Sequence, residues 1–132
     1  MLSSDTAEFL YLNPQILRWD GVQRMTVVIM QTYMVKPEKQ EEYLSMMKRY
    51  REYMETHLAA VKELKSWRVF RQVFGGAWGA YVEMLEFDNM AELEKYMTRT
   101  FQDGARMKIY KDFMQIVDPN TVTMSVYSPM RF

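Results

Sequence analysis

The sequence predicts one α+β domain whose elements run strand, helix, strand, strand, helix, strand. Three observations predict this class: a run of β-branched and aromatic residues before Pro37, two long segments with apolar residues at helical spacing, and a glycine pair between two further apolar runs. The chain has 132 residues, which is the size of a single domain with one core.

The first half of the chain predicts a strand followed by a helix. Residues 25–35 are rich in β-branched and aromatic side chains and contain no glycine or proline, so they form the first predicted strand. Pro37 suits the first turn of a helix. The apolar stripe of that helix runs through Tyr43, Met47, Tyr50, Met54, His57 or Leu58, and Val61, which is about six turns.

The second half predicts two antiparallel strands, a broken helix and a last strand. Gly75-Gly76 predicts a tight hairpin between strands over residues 64–74 and 77–87. Asn89 with Glu92 resembles a capping box and opens a helix that runs to residue 116 with a break at Gly104. Residues 121–128 alternate as the fourth strand.

This order is the split βαβ, or ferredoxin-like, arrangement, in which both helices cover one face of a four-stranded antiparallel sheet. Both alternating sets of each strand are largely apolar, so the face without helices is apolar as well. The sets are Val27, Ile29, Tyr33 and Val35 against Val28, Met30 and Met34, then Trp67, Val69 and Val73 against Leu64, Phe70 and Phe74, then Trp78, Ala80, Val82 and Met84 against Tyr81, Leu85 and Phe87. A monomer rarely exposes such a patch, so we expect a homodimer through this sheet face. The alternative is that residues 1–24, an ordered N-terminal extension ahead of a domain over 25–132, cover it.

Composition excludes several functional classes. The 17 basic residues balance 17 acidic ones, so the chain lacks the positive field of a nucleic-acid-binding protein. No apolar run approaches the length of a membrane span, and no targeting segment is visible, so we expect a cytoplasmic protein without membrane contact. With no cysteine and one histidine, we expect no metal and no cofactor. The 14 methionines are scattered at core spacing and indicate core filling.

Several motifs resemble the dimeric α+β barrel superfamily, in which two ferredoxin-like subunits press their sheets together. They are Tyr33-Met34-Val35-Lys36-Pro37 with Tyr43 and Leu44, Trp67-Arg68-Val69, and the run from Leu85 to Glu92. The similarity is greatest to the NIPSNAP-like branch and to proteins like the antibiotic-biosynthesis monooxygenases. The resemblance implies a fold and a dimer but leaves the activity open, since the superfamily includes monooxygenases, cyclases, isomerases and proteins of no known activity.

Candidate site residues follow from side-chain chemistry. His57 is the candidate catalytic base, because histidine titrates near neutral pH; a boundary histidine at a helix end is the competing interpretation. Tyr33, Trp67, Trp78 and Tyr81 are the candidate ligand-binding residues, with core packing as the alternative. We expect a protein that binds or converts a small aromatic or lipid-like metabolite between sheet and helices. A cofactor-independent monooxygenase and a dimerisation module without a ligand are the alternatives.

Overall fold

The computed structural model describes residues 25–76 and 79–130. The predicted N-terminal extension over residues 1–24 and the candidate residue Trp78 lie outside this part of the chain. The extension and the domain boundary after residue 24 therefore stay predictions.

The described chain forms strands and helices in the order that the sequence predicts. They are β1 (Val27–Tyr33), α1 (Gln40–Thr56), β2 (Leu64–Arg71), β3 (Tyr81–Phe87), α2 (Met90–Phe101), α3 (Gly104–Ile116) and β4 (Thr123–Tyr127), with short 3-10 helices at Pro37–Lys39 and Pro119–Thr121. The predicted break at Gly104 divides the last long helix into α2 and α3. It arises because the Asp103 side chain accepts hydrogen bonds from the N–H groups of Ala105 and Arg106 and so caps a new helix.

The strands form one antiparallel sheet in the spatial order β2-β3-β1-β4. Strands β1 and β3 occupy the centre, and β2 and β4 are the edges. This connectivity and strand order are those of the ferredoxin-like α+β fold, which confirms the predicted fold class.

Alternation along the strands separates two faces of the sheet. The inner face, which packs against the helices, carries Val27, Ile29, Gln31 and Tyr33 of β1 and Tyr81, Glu83, Leu85 and Phe87 of β3, all buried. The outer face carries Val28, Met30 and Thr32 of β1, Val82, Met84 and Glu86 of β3, Ser66, Arg68 and Phe70 of β2, and Thr123, Ser125 and Tyr127 of β4. Phe70 and Tyr127 are 41% and 54% exposed, so the outer face presents apolar surface as predicted.

Aromatic and aliphatic side chains of all three helices fill the layer above the inner face. The buried members are Tyr43, Met46, Tyr50 and Tyr53 of α1, Met90, Leu93, Tyr96 and Met97 of α2, and Ile109, Phe113 and Ile116 of α3. No helix within the described ranges is long and apolar enough to cross a bilayer.

Helix α1 ends earlier than the sequence predicts. The predicted stripe continued to Val61, but the helix stops at Thr56 and His57 leaves the helical conformation with φ −116° and ψ 50°. The N–H groups of Ala60 and Val61 then donate hydrogen bonds to the carbonyls of His57 and Leu58, three residues earlier, which forms a tight turn. Val61 reaches the core through this turn, while Leu58 is left 69% exposed.

Two features of β2 also differ from the prediction. The prediction of a tight turn at Gly75-Gly76 is wrong, because β2 ends at Arg71 and β3 begins only at Tyr81. In the wider loop between them, the Gln72 side chain donates hydrogen bonds to the carbonyls of Phe74 and Gly75. The predicted grouping of Leu64 with Phe70 on one face is also wrong. Leu64 is opposite Phe87 and Ser66 is opposite Glu86, so an extra residue at position 65 makes a bulge that returns Leu64 to the core.

Candidate functional site

A groove of about 360 Å³ opens between helix α1 and the edge strand β2. We call it the α1–β2 groove. It is lined by Tyr43, Leu44, Met47, Lys48 and Arg51 of α1, Trp67 and Val69 of β2, and Tyr81 of β3. Its volume is at the small end of the range for ligand-binding pockets, and its wall is mostly aromatic and aliphatic, as is usual for such sites.

Regular secondary structure explains why these side chains meet. Residues 43, 44, 47, 48 and 51 follow one another at helical spacing and share one side of α1. Trp67 and Val69 are two apart on β2, and the register places them opposite Leu85 and Glu83 on the inner face. The groove is therefore the unfilled end of the layer between α1 and the sheet.

Tyrosines form the inner end of the groove. The rings of Tyr43 and Tyr81 are 4.3 Å apart, and Tyr33 packs behind them at 5.8 Å and 6.2 Å. The hydroxyls of Tyr33 and Tyr43 share a hydrogen bond of 2.6 Å, and the Tyr81 hydroxyl donates to Oε1 of Gln40 at 3.0 Å. These bonds hold the rings in fixed orientations beside the groove.

A buried carboxylate fixes the tryptophan in the groove wall. Nε1 of Trp67 donates a hydrogen bond of 3.0 Å to Oε1 of Glu83, whose side chain is fully buried. Gln31 lies opposite Glu83 in the register and is also fully buried, and both of its amide atoms lack a hydrogen-bond partner. An unpartnered buried amide costs about 1–3 kcal/mol, so this polar layer carries a real energetic cost.

Burial and nearby negative charge keep Tyr33 and Tyr43 protonated. Burial, followed by the nearby negative charge of Glu83, raises the pKa of Tyr33 and of Tyr43 far above the ordinary value for tyrosine. Both hydroxyls therefore stay neutral at physiological pH, where they donate hydrogen bonds and do not remove protons.

A second polar cluster lies behind Trp67. The Trp67 ring meets Tyr50 edge-on at 5.1 Å, and the hydroxyls of Tyr50 and Tyr96 are 3.0 Å apart. The guanidinium of Arg106 lies 4.8 Å from the centre of the Tyr50 ring and is almost completely buried. This cluster supports the groove wall from inside and is closed to solvent.

His57 lies outside the groove. It is exposed at the end of α1, where its ring stacks on Tyr53 at 4.4 Å and Nδ1 is 2.9 Å from the Thr56 hydroxyl. None of these neighbours lines the α1–β2 groove. The catalytic role predicted for His57 stays a prediction, and it requires a substrate bound somewhere other than this groove.

Three of the four candidate ligand-binding residues lie at the groove. Trp67 and Tyr81 line it, and Tyr33 packs one layer deeper against Tyr81. Sequence reasoning missed Tyr43 and Glu83 as site residues. The sequence signal that could have identified Glu83 is its position in an otherwise apolar alternating set, since Tyr81, Leu85 and Phe87 share its face. Among residues 25–76 and 79–130, no group of three His, Cys, Asp or Glu side chains is placed to hold a metal ion.

No protein-family model matches the chain, and no curated protein is similar to it in sequence. Solved structures match it in fold. A NIPSNAP family protein of unknown function from Agrobacterium tumefaciens is 16% identical, with a TM-score of 0.62 over 83% of this chain and 92% of its own. A conserved protein from Methanosarcina mazei Go1 is 13% identical, with a TM-score of 0.62 over 83% of this chain and 98% of its own.

A third structure, from Bacteroides fragilis, is described as a dimeric protein of unknown function with a ferredoxin-like fold. It is 17% identical, with a TM-score of 0.55 over 78% of this chain and 95% of its own. At these identities the similarity shows the fold alone. The chain thus has the ferredoxin-like α+β fold, and NIPSNAP family proteins are among its structural neighbours, as the sequence resemblance implied.

Proposed function

We propose that this protein is a homodimer that binds a small aromatic or lipid-like metabolite in the α1–β2 groove of each subunit. The observation that carries the binding proposal is the groove itself, with three aromatic and three aliphatic side chains on its wall. An apolar ligand that enters it removes both its own surface and this wall from water, at about 25 cal/mol per Å² of apolar area.

The rigidity of the wall supports binding. Trp67 is held by Glu83, Tyr81 by Gln40 and Tyr43 by Tyr33, so the three aromatic side chains that line the groove have hydrogen-bond partners without a ligand. A wall whose side chains are already ordered loses little conformational entropy when it binds a ligand.

The experiment is a matched pair of filling variants, measured by calorimetry with octanol and phenylbutanol as lipid-like and aromatic probes. Leu44→Trp adds a large ring at a residue that lines the groove, and Ser45→Trp adds the same ring one residue further on, outside it. We expect the Leu44 variant to lose binding at least about tenfold and the Ser45 variant to bind like the parent protein. Binding that is absent in the parent, or equally affected in both variants, would contradict the proposal.

The dimer proposal is supported by the outer face. Met30 and Met84 are directly opposite each other at its centre, Phe70 and Tyr127 are exposed on it, and the helices pack on the inner face. A structural neighbour is described as dimeric. A second copy that covers this patch removes an apolar surface that monomers rarely tolerate.

Sedimentation equilibrium tests the dimer. We expect a mass twice the 15.9 kDa of the chain, and a shift to the single-chain mass for Met84→Lys, which places a charge at the centre of the face. Ala91→Lys, at an exposed position of α2, is the control and should stay dimeric. A parent protein that sediments as one chain would instead favour coverage of this face by residues 1–24.

The cofactor-independent monooxygenase receives less support. That activity needs a base near the substrate, but Tyr33 and Tyr43 are held neutral and His57 lies outside the groove. If His57→Ala consumes oxygen as fast as the parent protein with an identified substrate, His57 is not the base.

A further inference from the structure

We infer that the ligand of the α1–β2 groove is an amphipathic carboxylic acid, whose apolar body lies against Trp67 and Tyr81 and whose carboxylate is bound by Lys48 and Arg51. This inference rests on the proposed function, since it names the chemical class of the ligand for that same groove. Its basis is the uneven distribution of polar groups around the groove.

The charged residues that line the groove are all positive. Lys48 and Arg51 lie one helical turn apart on the side of α1 that faces β2, and the described lining residues include no carboxylate. Both side chains are exposed, so their stems can lie along the apolar wall while their charged ends stay at the mouth.

These charges are not neutralised by strong local pairing. Within the described chain, no ion pair involves Lys48, and Arg51 meets Glu55 only at 3.9 Å between two side chains that are each about two-thirds exposed. The neighbouring Arg49 differs, since it forms a 2.8 Å ion pair with Asp112 of α3. With 17 basic and 17 acidic residues in the chain, the positive mouth is a local feature and not a consequence of net charge.

The inner end of the groove has a different character. Trp67, Val69 and Met47 provide apolar contact, and the hydroxyls of Tyr43 and Tyr81 are already used in hydrogen bonds to Tyr33 and Gln40. A ligand with one apolar end and one anionic end matches this division, with the apolar end inward. A neutral ligand leaves the cations at the mouth unused, and a ligand charged at both ends would bury a charge against the apolar wall.

The test compares each acid with the alcohol of the same carbon skeleton. Calorimetry on the full chain measures octanoate against octanol and phenylbutyrate against phenylbutanol, with the parent, Lys48→Gln, Arg51→Gln and the double variant. Two exposed ionic contacts predict that the acid binds about 2- to 30-fold more tightly than the alcohol, and that raised salt reduces the difference. We expect the double variant to abolish this preference, so that the acid and the alcohol of one carbon skeleton bind it with equal affinity.

Arg49→Gln is the matched control, because it removes a positive charge from α1 at a residue outside the groove. It should retain the preference for the acid. The inference is overturned if the alcohol binds as tightly as the acid, or if Arg49→Gln reduces the preference as much as Lys48→Gln does. In those cases the proposed binding function stands. If neither acid nor alcohol binds, the proposed function itself fails.

Discussion

Trp67 has two roles, since its ring lines the α1–β2 groove and its indole N–H donates to the buried carboxylate of Glu83. Trp67→Phe keeps an aromatic ring in the wall and removes the donor. Oε1 of Glu83 then loses a 3.0 Å hydrogen bond at a fully buried residue, where water does not replace it.

Two losses determine the expected destabilisation by Trp67→Phe: the hydrogen bond to Glu83 and part of the apolar contact of the indole ring. A hydrogen bond to a charged group contributes about 1.5–3 kcal/mol, and the smaller ring gives up about 1 kcal/mol of apolar contact. The expected destabilisation is therefore about 2.5–4 kcal/mol, which is large against a total stability of roughly 5–15 kcal/mol. It corresponds to a urea midpoint lower by about 1–2 M.

Urea unfolding of a double-mutant cycle isolates the hydrogen bond. In the Glu83→Gln background the side chain that loses the donor is a neutral amide, so Trp67→Phe should cost about 1 kcal/mol less there. Equal losses in the two backgrounds would refute the idea that the indole compensates a buried charge. A loss below about 0.5 kcal/mol in the parent would refute the importance of the bond altogether.

Two further predictions concern buried and capping carboxylates. The hydrogen bond of 2.6 Å from Tyr53, with the N–H groups of α3, holds the pKa of Asp103 below its ordinary value. The stability from this lowered pKa is present above the pKa of the unfolded chain and is lost as the pH falls toward the folded pKa, so the melting temperature of the parent should fall more steeply below about pH 4 than that of Asp103→Asn. Arg99→Met leaves the buried carboxylate of Glu63 without its 2.6 Å ion pair, so the free energy of unfolding measured in urea should fall by about 3 kcal/mol. Arg99→Lys should recover part of this stability, and equal stability of the two variants would argue against a charge effect.

Strand periodicity predicted part of what positions the site. Alternation places Gln31 on the face of Tyr33 in β1 and Glu83 on the face of Tyr81 in β3. Tyr33 and Tyr81 were predicted as ligand-binding residues but Glu83 was not, and alternation does not specify which set faces the helices, because both sets are largely apolar. The capping residue Asn89, which accepts a hydrogen bond from the N–H of Glu92, was equally visible in the sequence.

The remaining features depend on local hydrogen bonds and on how α1 lies over the sheet. The bulge at position 65 reverses the face of Leu64, and alternation alone does not reveal an inserted residue. His57 continues the apolar spacing of α1, yet the helix ends one residue before it. The contact between Tyr43 and Tyr81 joins residues on different elements, so no sequence period specifies it.

The position of β2 at the edge of the sheet has a consequence for how a bound ligand can be detected. β2 is bonded to β3 alone, whereas β1 and β3 each have a strand on both sides. An edge strand exchanges its amide hydrogens through small openings that leave the central strands intact. Trp67 and Val69 of the groove wall belong to this edge strand, whereas Gln31 and Glu83 lie on the two central strands. A ligand bound against Trp67 and Val69 should therefore slow amide exchange in β2 before it slows exchange anywhere else in the sheet.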